Sequence, residues 1–260
     1  MGHERFVSFE RQDQTCVITL RRREKLNALS TALENQLGEA IHSPEASGSR
    51  AIIFTGGPEV FSAGADINEM RGLDPASILS RYRSTGRVYE AIADLPQPTF
   101  SAISGYCLGG GFELALATDF RIADESAIFG LPEVGIGIIP SSGGTYRLCR
   151  LAGPAVAKEL ILLRSRIGAA QALGLGLITE VVPNGAFDRA VQLASSLSEL
   201  PSLAVFISKR TVDAIPDSSR ESSILIEQLA YGMLSQTDDA REAADAFIER
   251  RRANGDPGDG

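Results

Sequence analysis

The sequence predicts an α/β domain followed by an all-helical extension. Short β-rich runs alternate with helical patterns over the first two-thirds of the chain, and after about residue 185 only helical spacing remains. Glycine-rich turns at the ends of the β-rich runs add a third observation, because they mark places where backbone must approach another backbone or a ligand closely.

The elements follow in order. Thr15–Leu20 reads as a strand ending at the basic run Arg21-Arg22-Arg23-Glu24-Lys25. Ser30 is a predicted N-cap for an amphipathic helix reaching residue 41. Ala51–Thr55 is a second, buried strand, closed by Gly56-Gly57-Pro58. A polar helix is predicted over 76–93, stopped by Pro96 and Pro98. A third strand over 99–104 should lead directly into Gly109-Gly110-Gly111. Short strands over 120–123 and 127–129 flank a turn at Asp124-Glu125. Helical spacing over 186–200, 203–214, 222–234 and 238–252 makes the C-terminal lobe, and the Gly- and Asp-rich tail 254–260 reads as disordered.

Composition narrows the function. A formal net charge of -8 argues against nucleic acid as a partner, so an anionic ligand would need local cations and backbone amides. No apolar stretch approaches the roughly 18 residues of a membrane span, and residues 1–9 carry no secretory h-region. Three cysteines, with no C-x-x-C spacing and no Cys/His cluster, predict neither disulfides nor a metal site and point to the cytosol.

Chemistry concentrates in three segments. In Gly105-Tyr106-Cys107-Leu108-Gly109-Gly110-Gly111-Phe112-Glu113, three consecutive glycines between strand and helix cost backbone entropy, which is reasonable where amides must reach an oxyanion or simply where a turn is tight. Gly105-x-Cys107-x-Gly109 matches a nucleophile elbow, but the only histidines, His3 and His42, lie upstream, so Cys107 reads as a small packing residue. Glu113 is a dipole-compatible acid on a helix that is otherwise apolar. Glu133 stands alone in the apolar, Gly- and Pro-punctuated run from Phe129 to Pro140. Two carboxylates in apolar settings suit general acid–base work. Phe61-Ser62-Ala63-Gly64-Ala65-Asp66-Ile67 again offers small residues after a strand. No phosphate-binding loop is present, and Gly174-x-Gly176 lacks the third glycine of a dinucleotide fingerprint.

Together with Asn27-Ala28-Leu29, Asp119-Phe120-Arg121-Ile122-Ala123, Ile139-Pro140, Gly143-Gly144-Thr145, Ala169-Ala170-Gln171-Ala172 and Gly176-Leu177-Ile178, these segments resemble, in order and spacing, the enoyl-CoA hydratase/isomerase (crotonase) family. The resemblance implies a crotonase-like spiral of ββα units carrying the active site over 1–195, and a C-terminal helical trimerisation region over 196–260 that makes a homotrimer or a hexamer of two trimers. It implies an oxyanion hole from the backbone N–H groups of Ala65 and Gly110, with Glu113 activating water and Glu133 delivering a proton to Cα. Lys25, Ala28, Ala63, Asp66, Ile67 and Gly109 would line the acyl-CoA channel. The thioester is the substrate, with no further cofactor. The implied reaction is hydration of a trans-2-enoyl-CoA, because both glutamates are present. Double-bond isomerisation, a specialised lyase and an idle or RNA-binding scaffold are the alternatives. The chain departs from the family in lacking a proline near Arg21-Arg22-Arg23-Glu24, in Leu163-Arg164 where Thr-Gly is common, and in lacking an aromatic at Ala253-Asn254-Gly255.

Overall fold

The computed structural model describes residues 4–71 and 74–253, in two units, Met1–Leu197 and Ser198–Gly260. In the first, β1 (Val7–Gln12) and β2 (Thr15–Leu20) pair antiparallel around Asp13, whose φ of 52° makes the tight turn. Sequence reading misses β1 because it is a sheet edge, buried only at Val7 and exposed over its last four residues. Ser30 Oγ accepts from the Leu33 N–H and starts α1 (Thr31–Ile41), which buries Leu33, Leu37, Ala40 and Ile41. After α2 (Pro44–Ser47) comes β3 (Ala51–Thr55), and Asp74 then caps α3 (Pro75–Ala93).

From here the chain repeats one move. β4 (Thr99–Ile103) joins the main sheet, β5 (Tyr106–Leu108) joins a second sheet, and α4 (Gly110–Leu116) returns. β6 (Phe120–Asp124), β7 (Ile128–Gly130) and α5 (Gly144–Leu162) do the same. Earlier segments echo it with single bridges: Leu29 to Ala65 after β2, and Ser62 to Cys107 after β3. This is a spiral of ββα units. β8 (Ile167–Gly168), α6 (Ala169–Gly174), β9 (Glu180–Val182) and α7 (Ala186–Ser198) complete it. The sheet orders are β1-β2-β3-β4-β6-β9 and β5-β7-β8.

The expectation that β4 runs straight into the glycines is corrected, since β5 intervenes. Gly105, at φ 60°, turns a corner there, and a Cβ on it would lie 2.1 Å from the Glu59 carbonyl oxygen. Helix α5 also went unread, because Gly153 (φ 79°) and Pro154 break its middle.

Beyond β1 the main sheet is parallel, so both faces must be covered, and β3 is buried at every residue. Ile52 and Phe54 join the large core with Leu33, Leu37, Tyr89 and Ile92, while Ala51 and Ile53 face Phe100, Ile122 and the alanines of α7. Each fully buried side chain of this size contributes about 1.5–3 kcal/mol.

Asn27 ties the first turns together. Both Leu26 and Asn27 take left-handed φ (51° and 53°), a conformation asparagine tolerates better than most residues. The buried Asn27 Nδ2 donates to the carbonyls of Gly56, Val60 and Phe61 at 3.0–3.1 Å, and its Oδ1 accepts from the Arg22 N–H. Ser62 Oγ donates to the Asn27 carbonyl and accepts from the Gly64 N–H.

The second unit holds α8 (Ser202–Ala214), α9 (Arg220–Leu234, capped by Ser219) and α10 (Asp238–Ala253). Val212, Leu229, Tyr231 and Phe247 are exposed on it. The tail predicted over 254–260 and His3 lie outside the described residues. Among the described residues no single helix is long and apolar enough to cross a membrane.

Replacing Asn27 by Ala leaves three buried carbonyls without that donor and is expected to cost about 2–4 kcal/mol, read as a lower urea midpoint at unchanged slope. A midpoint at the wild-type value would remove Asn27 from this role.

Candidate active site

The site forms where the segment after β3 crosses the segment after β5. Ser62 N–H donates to the Tyr106 carbonyl and Leu108 N–H to the Ser62 carbonyl, both at 2.9 Å, while Gly109 N–H reaches across to Gly130 of β7. The backbones touch: a Cβ on Gly111 would sit 2.6 Å from Ser62 Cβ, and one on Gly64 (φ 103°) 3.0 Å from the Leu108 carbonyl oxygen. Only glycine permits this approach.

The crossing frees two amides. Around the Leu29–Ala65 bridge, Leu29 N–H donates to Gly64 and Asp66 N–H to Leu29, at 2.8 and 2.9 Å. These bonds use the groups either side of Ala65 and turn its own N–H away. Ala65 is exposed. Gly110 opens α4, so its N–H is one of the donors a helix cannot satisfy internally. A Cβ on Gly110 would lie 3.7 Å from the Ala65 nitrogen, and neither N–H has a hydrogen-bond partner among the described residues. Two adjacent unsatisfied donors suit a developing oxyanion.

Glu113, one turn into α4, is buried. Its Oε1 accepts from Ser142 N–H at 2.7 Å and Gly144 N–H at 2.8 Å. Burial raises its pKa, while the amides of Gly144 and Ser142 and the charge of Arg147 oppose the rise. A Cβ on Gly144 would come within 2.8 Å of that oxygen, which explains the glycine.

Glu133 opens a 3₁₀ turn (Glu133–Ile136) and is half-buried. Its Oε2 is buried with no hydrogen-bond partner among the described residues. Oε1 sits 2.9 Å from where a Gly109 Cβ would project. Burial first, and the charge of Glu113 second, push the carboxyl up to about 7 against its own backbone amide. The two glutamates therefore lie close enough to feel each other in different environments, one cradled by two loop amides and one with a buried oxygen, Oε2, that has no partner among the described residues.

Of the remaining predicted residues, Lys25 is exposed at the end of a 3₁₀ turn (Arg23–Lys25), and Ile67 is exposed as well. Ala28 and Ala63 are partly buried, and Ala63 N–H donates to the Leu26 carbonyl. The Asp66 carboxylate pairs with Arg22 Nη1 at 2.8 Å and accepts from Asn68 N–H, so it is already engaged. Cys107 is fully buried and burial holds its thiol well above the usual range, which keeps it out of nucleophilic chemistry. His42 is exposed at the end of α1. Among the described residues no group of three or more His, Cys, Asp or Glu could hold a metal ion.

Sequence reasoning missed the roles of Ser142, Arg147 and Arg121. Arg121 secures the far end of α4 by donating to the Ala115, Thr118 and Leu177 carbonyls. The available signal was Ser142-Gly143-Gly144 before a helix, a second place where amides meet a carboxylate.

Residues 10–256 match the enoyl-CoA hydratase/isomerase family. The short-chain-enoyl-CoA hydratase of Clostridium acetobutylicum is 35% identical over 255 residues, covering 96% of this chain and 97% of that protein. The crotonyl-CoA hydratase of Syntrophomonas wolfei is 34% identical over 257 residues, covering 98% of each chain. The crystal structure of an enoyl-CoA hydratase from Bacillus anthracis superposes with a TM-score of 0.88 at 35% identity, over 95% of this chain and 97% of that one.

The raised Glu133 carboxyl has a stability consequence. Its folded pKa, about 7, exceeds the ordinary 4.5, so between these values the folded state holds a proton that the unfolded chain releases. Stability therefore falls as pH rises through that window. Glu133→Gln is expected to raise Tm at pH 8 by about 2–4 °C, on the order of 1 kcal/mol once partial exposure is allowed for, with no gain below about pH 4.5. Differential scanning fluorimetry across pH checks this, and a pH-independent difference would contradict it.

Proposed function

We propose that this chain, which belongs to the enoyl-CoA hydratase/isomerase family, reversibly hydrates trans-2-enoyl-CoA thioesters to 3-hydroxyacyl-CoA. The observation that carries the reading is the opposed pair: Glu113 held by amides beside Glu133 with a bare, buried oxygen. Hydration needs a base and an acid at the same moment. The donors on Glu113 favour its carboxylate, so it takes a proton from water as the oxygen attacks Cβ. Glu133, about half protonated near pH 7, delivers its proton to Cα. As these transfers proceed, negative charge gathers on the thioester oxygen, where the N–H groups of Ala65 and Gly110 receive it. Each such donor is worth about 3–4 kcal/mol. A double-bond shift can move one proton on one carboxylate, and the presence of two in different environments favours hydration.

In this reading Lys25 offers an exposed cation for the CoA phosphates, with Ala28, Ala63 and Ile67 along the approach and Gly109 keeping its floor open. Asp66 lines the same approach while its carboxylate holds Arg22. The exposed apolar side chains of the second unit, Val212, Leu229, Tyr231 and Phe247 among them, support assembly as a homotrimer or a hexamer of two trimers, and light scattering should return one of those masses. Three free cysteines agree with a cytosolic setting.

Purified protein should bleach the conjugated enoyl-thioester absorbance of crotonyl-CoA without added metal or nicotinamide. Glu113→Gln and Glu133→Gln should each lose about 10²–10⁴ in kcat while remaining folded and oligomeric. Near-wild-type turnover in either variant would refute the assignment of acid and base. Because the acid must be protonated, kcat/KM should fall as pH rises through about 7.

A further inference from the structure

Two peptide amides hold Glu113, and Arg147 holds the loop that supplies them. Arg147 lies in the first turn of α5, where the helix dipole disfavours a cation, and it is 7% exposed. A buried cation at that end of a helix requires local compensation. Its Nη1 donates to the Ser142 carbonyl at 3.1 Å, and its Nη2 pairs with Glu90 of α3 at 3.0 Å. Ser142 thus offers its N–H to Glu113 and its carbonyl to Arg147. Gly143, at φ 97°, lets the guanidinium lie against the loop, since a Cβ there would fall 1.9 Å from Nη1. The Tyr146 hydroxyl is 3.2 Å from both Glu90 carboxylate oxygens, and the Arg147 guanidinium stands 4.8 Å from the Tyr146 ring centroid.

We propose that Arg147 is a positioning residue for Glu113: it fixes the Ser142–Gly144 backbone and keeps a positive charge beside the carboxylate. Among the described residues the charged groups facing Glu113 are Arg147 from α5 and Glu133 from its 3₁₀ turn, and those facing Arg147 are Glu113 and Glu90. Removing the arginine therefore acts on Glu113 in two ways. The amides lose their register, and the carboxylate loses its counter-charge. Glu90, on α3, ties this machinery to a neighbouring turn of the spiral.

The catalytic part of this inference rests on the hydratase reading, so the test has a readout that does not. In ¹³C-carboxyl-labelled protein, Arg147→Met should move the Glu113 titration to higher pH, by about one unit or more. An unchanged titration in a folded variant would overturn the proposal, whatever reaction the protein catalyses. If the wild type hydrates crotonyl-CoA, Arg147→Met should also lose about 10²-fold in kcat at near-constant KM, with the acidic limb of its pH profile shifted upward. Should that variant not fold, Arg147→Lys decides. It keeps the charge but not the fork that spans Ser142 and Glu90, so kcat should fall about tenfold with the acidic limb in place. Wild-type kcat in Arg147→Lys would then overturn the proposal. A wild-type protein inert on enoyl-CoA would refute the hydratase reading alone.

Discussion

The structure depends on one steric constraint, the contact of two backbones where the segment around Ser62-Ala63-Gly64 crosses Leu108-Gly109-Gly110-Gly111. A Cβ would lie 3.0 Å from the Leu108 carbonyl oxygen at Gly64 and 2.6 Å from Ser62 Cβ at Gly111, and the hydrogen bonds between Ser62, Tyr106 and Leu108 hold the two segments in register. Ala65 and Gly110 are the residues where each segment turns out of that register, which is why their amides are left to face outward together. The site is a by-product of close packing, made by the way two consecutive turns of the ββα spiral meet. Asn27 acts upstream of this constraint by fixing the carbonyls of Gly56, Val60 and Phe61 and so the entry of the Ser62 segment.

The same packing sorts the two acids. Glu113 rides on a helix whose second residue, Gly111, packs against the Ser62 backbone, and it meets a second glycine-rich loop, so backbone donors reach it at 2.7 and 2.8 Å. Glu133 lies against Gly109, and its buried Oε2 has no hydrogen-bond partner among the described residues. Dielectric and hydrogen bonding thus give two chemically identical groups different surroundings, the difference on which the proposed division into base and acid rests.

Much of this was legible in the sequence because local chemistry and tertiary demand agree. Ser30 as a cap, Thr15–Leu20 and Ala51–Thr55 as strands and the helical C-terminal lobe follow from pattern alone. Glu113 and Glu133 stood out as charges in apolar surroundings. What escaped were features that only a second segment defines. β1 is polar because it is an edge, and β5 is three residues long and visible only by its pairing with β7. Helix α5 is broken at Gly153. Arg147 carries no signal of its own in the sequence, because its partners Ser142 and Glu90 meet it only in the fold. Asp66, expected along the channel, has its carboxylate engaged by Arg22, a pairing that sequence spacing does not reveal.

The central claim is that the crossing presents Ala65 and Gly110 as a paired donor site for a thioester oxygen, with Glu113 and Glu133 flanking the carbons beyond it. A crystal structure with a saturated acyl-CoA, which cannot be hydrated, tests this most directly. The account predicts the thioester oxygen at about 3 Å from both nitrogens, with Cα and Cβ lying between the two carboxylates. A thioester oxygen bound elsewhere, with either amide still unpaired, would contradict it.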